Sequence, residues 1–213
     1  MYEVSLDSLH QLWADGRAAA KYALDHYEEF AARNHRYTLF GPYTHDIGVL
    51  IPSSLTPVNA RTLRTKTRRK DHIVYELDDD FKILRSMTIL DYTKVDCTYH
   101  HFEKDGVCYA YPFRGKTNAR YTDTVSALRY FANRPAYFAS ASKSMLFVQF
   151  YEYTAEDKMI VSTYRYWPNA KYTKYGYPVD PSAPFDSPQS PVARHCNEEE
   201  PHIVDFSKWV EQA

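Results

Sequence analysis

The chain has 213 residues, long for one domain and short for two, so one decorated domain is expected. Apolar residues make an ordinary 44%, but aromatics reach 16%, with 20 Tyr, 11 Phe and 3 Trp; tyrosine suits half-buried sheet faces and interfaces. A net charge of −1 excludes global steering toward nucleic acid, and three cysteines (Cys97, Cys108 and Cys196) exclude a disulfide framework.

The first residues carry neither a basic n-region nor an apolar h-region, and no stretch is long enough to span a membrane. The expectation is a cytoplasmic protein with no membrane role.

Residues 5–34 are expected to be helix. Leu6, Leu9, Trp13, Ala20, Leu24, Tyr27 and Ala31 recur at steps of three, four or seven, which gathers them on one stripe. Ser5 is the expected N-cap, and Asn34 a residue able to end the helix in the left-handed conformation. Gly16 weakens the helix by about 1 kcal/mol and marks a candidate break. Residues 37–58 hold Gly41, Pro42, Gly48, Pro52 and Pro57 between short apolar runs, which predicts one or two short strands.

The stretch 61–70 contains Arg61, Arg64, Lys66, Arg68, Arg69 and Lys70 and no acid; removing these six cations takes the net charge from −1 to −7. In an extended segment Arg64, Lys66, Arg68 and Lys70 share one face. Such a row suits phosphates or an acidic partner surface, or serves as a charged edge that blocks aggregation.

From residue 72 the pattern becomes hairpins. His72–Leu77 and 81–90 flank Asp78-Asp79-Asp80; 97–103 and 107–113 flank Lys104-Asp105-Gly106; 144–153 and 158–167 flank 154–157. Asp-Gly is the strongest hairpin signal among them. The acidic turn does not match a calcium loop and is expected to be structural. Thr122 or Asp123 is expected to cap a short helix over 124–132, with Val125, Leu128 and Ala132 on one side.

His100 and His101 point to opposite faces of a regular strand, so they cannot jointly chelate one ion. His101 and Glu103 share a face. A two-residue Asp-Gly loop pairs Glu103 with Cys108 and turns His100 and Phe102 toward Tyr109, Tyr111 and Phe113. A three-residue loop pairs Glu103 with Val107 and turns Tyr99 and His101 that way. Neither register sets Cys97 opposite Cys108, so no disulfide is expected there.

Residues 168–202 hold seven of the twelve prolines, with Tyr172, Tyr175 and Tyr177, and are expected to form an extended arm. His195-Cys196 lies in it without a matching second metal pair. Residues 203–213 regain apolar spacing and are expected to dock as a short helix.

Together these elements predict a single α+β domain over 1–213. A long N-terminal helix packs on a mostly antiparallel meander sheet of about six strands, with a short second helix and a Pro/Tyr-rich C-terminal arm. The leading functional expectation is a protein-binding module of the bacterial immunity or antitoxin type that occludes a partner protein's surface. Its contacts would be Arg64, Lys66, Arg68, Lys70, Trp167, Tyr172, Tyr175 and Tyr177. The alternative is an enzyme on a phosphate-containing or nucleic-acid substrate, with 61–70 holding phosphate and His100 or His101, with Glu103, handling protons. A third reading is a nucleic-acid binder without catalysis. No phosphate loop, nucleophile elbow or zinc motif is present, so no cofactor or metal is expected, and the balance leans away from an enzyme.

Overall fold

The protein is described from a computed structural model, over residues 4–42, 72–80, 82–91, 94–114, 119–120, 123–132, 134–153, 158–196 and 202–203. The basic stretch 61–70, the strand region beyond Pro42 and the expected helix after Ile203 lie outside these residues.

The helix begins where the sequence places it. In α1 (Leu6–Asp25), Ser5 Oγ accepts from the Ser8 amide at 3.1 Å, while Ser8 Oγ accepts from the Ser5 amide at 2.9 Å. This reciprocal cap satisfies two donors that a helix start leaves orphaned. The helix expected over 5–34 runs unbroken through Gly16 and breaks at His26, before α2 (Tyr27–Ala32). There the Tyr22 carbonyl takes both the His26 amide, at 3.0 Å, and His26 Nδ1, at 2.9 Å, so a side chain competes for the carbonyl of the last turn. Asn34 does not take the left-handed conformation: among described non-glycine residues only Asp105 and Ala132 have positive φ.

The strands among the described residues form one antiparallel sheet. Its strands are β1 (Tyr37–Pro42), β2 (His72–Leu77), β3 (Ile83–Asp91), β4 (Lys94–Lys104), β5 (Val107–Arg114), β6 (Ala119–Arg120), β7 (Val125–Phe131), β8 (Arg134–Ala141), β9 (Leu146–Tyr153), β10 (Lys158–Tyr166), β11 (Val192–Cys196) and β12 (His202–Ile203). Ten of them run in the order β1-β2-β3-β4-β5-β7-β8-β9-β10-β11, with β6 paired to β5 and β12 to β10. The α+β class and the antiparallel meander hold, but the sheet is larger than the six strands expected. No helix among the described residues is long and apolar enough to cross a membrane.

The short helix expected over 124–132 is the strand β7. Val125 and Ala127 face the helix layer, while Leu128 packs in the cluster on the opposite face with Tyr130 against it. Both faces of this central strand are covered, so the alternation that marks a strand is lost and the apolar residues mimic a helical step. Pro135 sits second in β8, beside the register shift between Arg129 and Tyr130, where a missing donor is tolerated.

Helix α1 lies across β5, β7, β8 and β9. Its buried face is made of small residues: Gly16, Ala19, Ala20 and Ala23, with Leu9 at one end. A Cβ on Gly16 would stand 2.5 Å from the Cβ of Ala141, so this glycine is what lets the helix approach β8.

Candidate functional site

The arm after β10 is folded, not extended. Its neck is closed by the Trp167 amide donating to the Pro191 carbonyl at 3.0 Å, after which the chain enters the edge strand β11. Within it, the Val179 amide reaches the Lys171 carbonyl at 3.1 Å and the Asp180 amide reaches the Gln189 carbonyl at 2.9 Å. A tight hairpin lies between: the Thr173 amide donates to Tyr177 at 2.8 Å, the Gly176 amide to Thr173 at 2.9 Å, and Tyr172 bridges Pro178. Phe185, further along, packs on the main core and meets the Tyr164 ring edge-on at 6.0 Å. Proline fixes φ and forbids ladder bonding, so this stretch closes through scattered turns in place of a regular ladder.

Two surfaces result. Tyr172, Tyr175 and Tyr177 stand 66%, 65% and 51% exposed on the hairpin, where the Lys174 ammonium lies 4.8 Å from the Tyr175 ring centroid. Beside them is a cleft of about 260 Å³. Trp167, Tyr172, Tyr175, Val179, Pro191 and Val192 give it an apolar lining, and Lys174 is its one charged wall residue. Four aromatic residues named from the sequence thus converge in one region: three line the cleft, and Tyr177 stands on the same hairpin. No family model, curated protein or solved structure matches this chain. Function has to be read from the geometry.

The histidine pair is placed differently. Lys104 pairs Val107 and Glu103 pairs Cys108, so Asp105-Gly106 is a two-residue loop. Its φ values of +53° and +71° are those of a type I′ turn, which matches strand twist and needs residues that tolerate positive φ. That register turns His100 toward the helices and His101 to the other face. His100, 4% exposed, sits among Tyr27, Phe30 and Phe113 with its Nδ1 unbonded; its ring meets that of Phe113 edge-on at 5.2 Å. Burial, reinforced by the Arg33 and Arg85 guanidinium groups, pushes its pKa down to about 4. His101, 8% exposed, is hydrogen-bonded through Nε2 to Ser86 Oγ at 2.8 Å, and burial beside Arg33 and His100 lowers its pKa to about 3. Both rings are therefore neutral near pH 7. The Ser86–His101 contact has the spacing of a nucleophile and its base, yet Ser86 is 1% exposed and the arm's cleft does not reach it. Glu103 lies exposed, whereas both rings are buried.

Around this pair two arginines bind helix to sheet. Arg33 donates to the carbonyls of His101 at 2.9 Å and Leu84 at 3.1 Å. Arg85, held by an ion pair with Glu76, donates to the carbonyls of Ala31 at 3.0 Å and Arg33 at 2.8 Å. Cations thus satisfy the orphan carbonyls where α2 ends.

The acidic turn is also structural. Asp78 Oδ1 accepts from the amides of Asp80 at 3.0 Å and Lys82 at 2.9 Å, and Asp79 pairs with Arg36. Among the described residues no group of three His, Cys, Asp or Glu could hold a metal ion. Cys97 stands opposite Thr88 in the ladder, and Cys108 opposite Glu103. The residues sequence reasoning missed are the cleft walls at Ala170, Val179, Pro188, Pro191, Val192 and Ala193. They follow no periodicity, and only the prolines and the aromatic residues marked the region.

Proposed function

We propose that the protein is a protein-binding module that acts by occluding a partner's surface, with the folded tyrosine arm as its contact face. What carries this reading is that three exposed tyrosines stand on a backbone-bonded hairpin beside a cleft. Tyrosine gives large contact area for little rotamer entropy, and a hairpin already held in shape loses little freedom when it docks. An immunity- or antitoxin-type inhibitor is the form this takes where the covered surface is an enzyme's active cleft.

Magnitudes bound the claim. Burying about 100 Å² on each of three tyrosines gains roughly 7 kcal/mol at ~25 cal/mol per Å². Association costs about 4–15 kcal/mol. The tyrosines are therefore the anchor of an interface that needs about 800 Å² a side, with the basic stretch 61–70 as a second candidate contact. The enzyme reading lacks comparable support, because His100 and His101 give on to opposite faces and neither is exposed.

The test is co-purification of the full chain followed by size exclusion. The parent chain forms a stoichiometric complex, and the triple variant Tyr172→Ser, Tyr175→Ser, Tyr177→Ser weakens it about a hundredfold or more. Equal binding by the variant, or turnover of a small molecule with no protein partner, would remove the reading.

A further inference from the structure

We infer that the cleft of the arm is the anchor pocket for an acidic peptide segment of the partner: one apolar side chain fills it while a neighbouring carboxylate pairs with Lys174. The inference rests on the protein-binding reading and names the chemistry of what is bound. Size comes first. At about 260 Å³ the cleft falls below the roughly 300–1,000 Å³ of sites that enclose a drug-sized ligand. It suits the side-chain anchors that fill pockets at the centre of protein interfaces.

Polar capacity comes next. Five hydroxyl-bearing residues line the cleft; beside the phenols of Tyr172 and Tyr175, three already accept from the arm's own backbone: Thr173 Oγ1 from the Tyr175 amide at 3.3 Å, Ser187 Oγ from the Gln189 amide at 3.2 Å and Ser190 Oγ from the Val192 amide at 3.1 Å. The one charged group in the wall is the Lys174 ammonium. Charge then gives the sign of the occupant. Exposed Lys171 and Arg194 adjoin wall residues in the chain, and so do exposed Asp186 and half-buried Asp180, whose Oδ1 accepts from the Ser182 amide at 2.8 Å and hydroxyl at 2.6 Å. From Arg165 to Arg194 the chain carries four cations and two acids. A carboxylate arriving here meets complementary charge, which aids both encounter and register. Single-stranded nucleic acid fits less well, since it needs a cationic groove that tracks many phosphates, and this cleft offers one lysine in its wall.

The experiment titrates the full chain with four probes, reading Trp167 fluorescence and the amide resonances of Ala170, Val192 and Ala193. The probes are the capped peptide Asp-Glu-Leu-Phe-Glu-Asp, its version with every acid replaced by Lys, its version with Leu-Phe replaced by Ser-Ser, and an oligothymidylate. The inference expects saturable shifts with the first peptide, binding weaker by tenfold or more for the other three probes, and a similar loss in Lys174→Glu, an exposed site whose replacement leaves the fold intact. Absence of shifts at those amides, equal binding of the Lys or Ser-Ser peptide, indifference to Lys174→Glu or a preference for the oligothymidylate overturns it. A partner complex that the tyrosine triple variant still loses would then keep the protein-binding reading while this inference falls.

Discussion

Arg85 shows how much one side chain can organise. Its guanidinium takes carbonyls at the end of α2 and is aimed by Glu76, so Arg85→Ala frees the Ala31 and Arg33 carbonyls, leaves Phe30 only its Arg33 donor, and leaves the half-buried Glu76 carboxylate only His35. The expected loss is about 2–4 kcal/mol in urea unfolding, with Arg85→Lys losing nearly as much because an ammonium cannot fork. The histidines set a pH dependence. In the folded chain His100 and His101 stay neutral down to about 4 and about 3, whereas unfolded rings take up protons near 6.5. The unfolded state therefore binds more protons as pH falls. Stability from these rings is fully present above 6.5 and drains as pH drops toward 4, with a slope approaching ~1.4 kcal/mol per pH unit for each ring. In His101→Gln, which keeps a partner for Ser86, the slope measured by urea titrations between pH 6.5 and 4 falls by about half.

Elements were legible where local chemistry decides them. The capped start of α1 and the Asp-Gly turn of β4–β5 rest on contacts a few residues apart, so the sequence carries them directly. Gly16 was legible only as a weakness, because its reason lies in β8, at Ala141. Gly16→Ala is the informative variant: propensity alone would gain about 1 kcal/mol, whereas overpacking costs roughly 1–3. With the added Cβ 2.5 Å from another Cβ, packing wins and thermal unfolding shifts down by several degrees. Strand β7 misled because coverage of both faces is a property of the sheet order, invisible in seven residues. The buried state of His100 and His101 was half legible. Opposite faces followed from the strand period, but the aromatic cage around His100 depends on where α2 docks. The cleft was not legible, since its walls come from turns closed by backbone bonds between residues without pattern.

At the scale of the whole molecule, a broad sheet carries one helix layer and a folded arm at the end of β10. Phe185 is the arm's link to the main core, against Tyr164. Phe185→Ala should loosen the arm without unfolding the sheet. Amide exchange over 168–190 rises by tenfold or more while β4, β5 and β7 stay protected; uniform loss of protection across the sheet would contradict this separation. Strands β10 and β11 are antiparallel neighbours, and a two-residue turn would join them, yet 25 residues separate Tyr166 from Val192. The arm is thus an insertion in a hairpin, and closing the longer loop costs roughly 2 kcal/mol more in chain entropy. Nothing in the sheet requires that expense. Replacing 168–190 with Asn-Gly should give a shorter chain that melts within about 5 °C of its parent, losing Phe185 but recovering the closure term. The same seam, with ends already pinned 3.0 Å apart, would accept foreign loops, so the surface carried at this end of the sheet can be exchanged while the scaffold stays fixed.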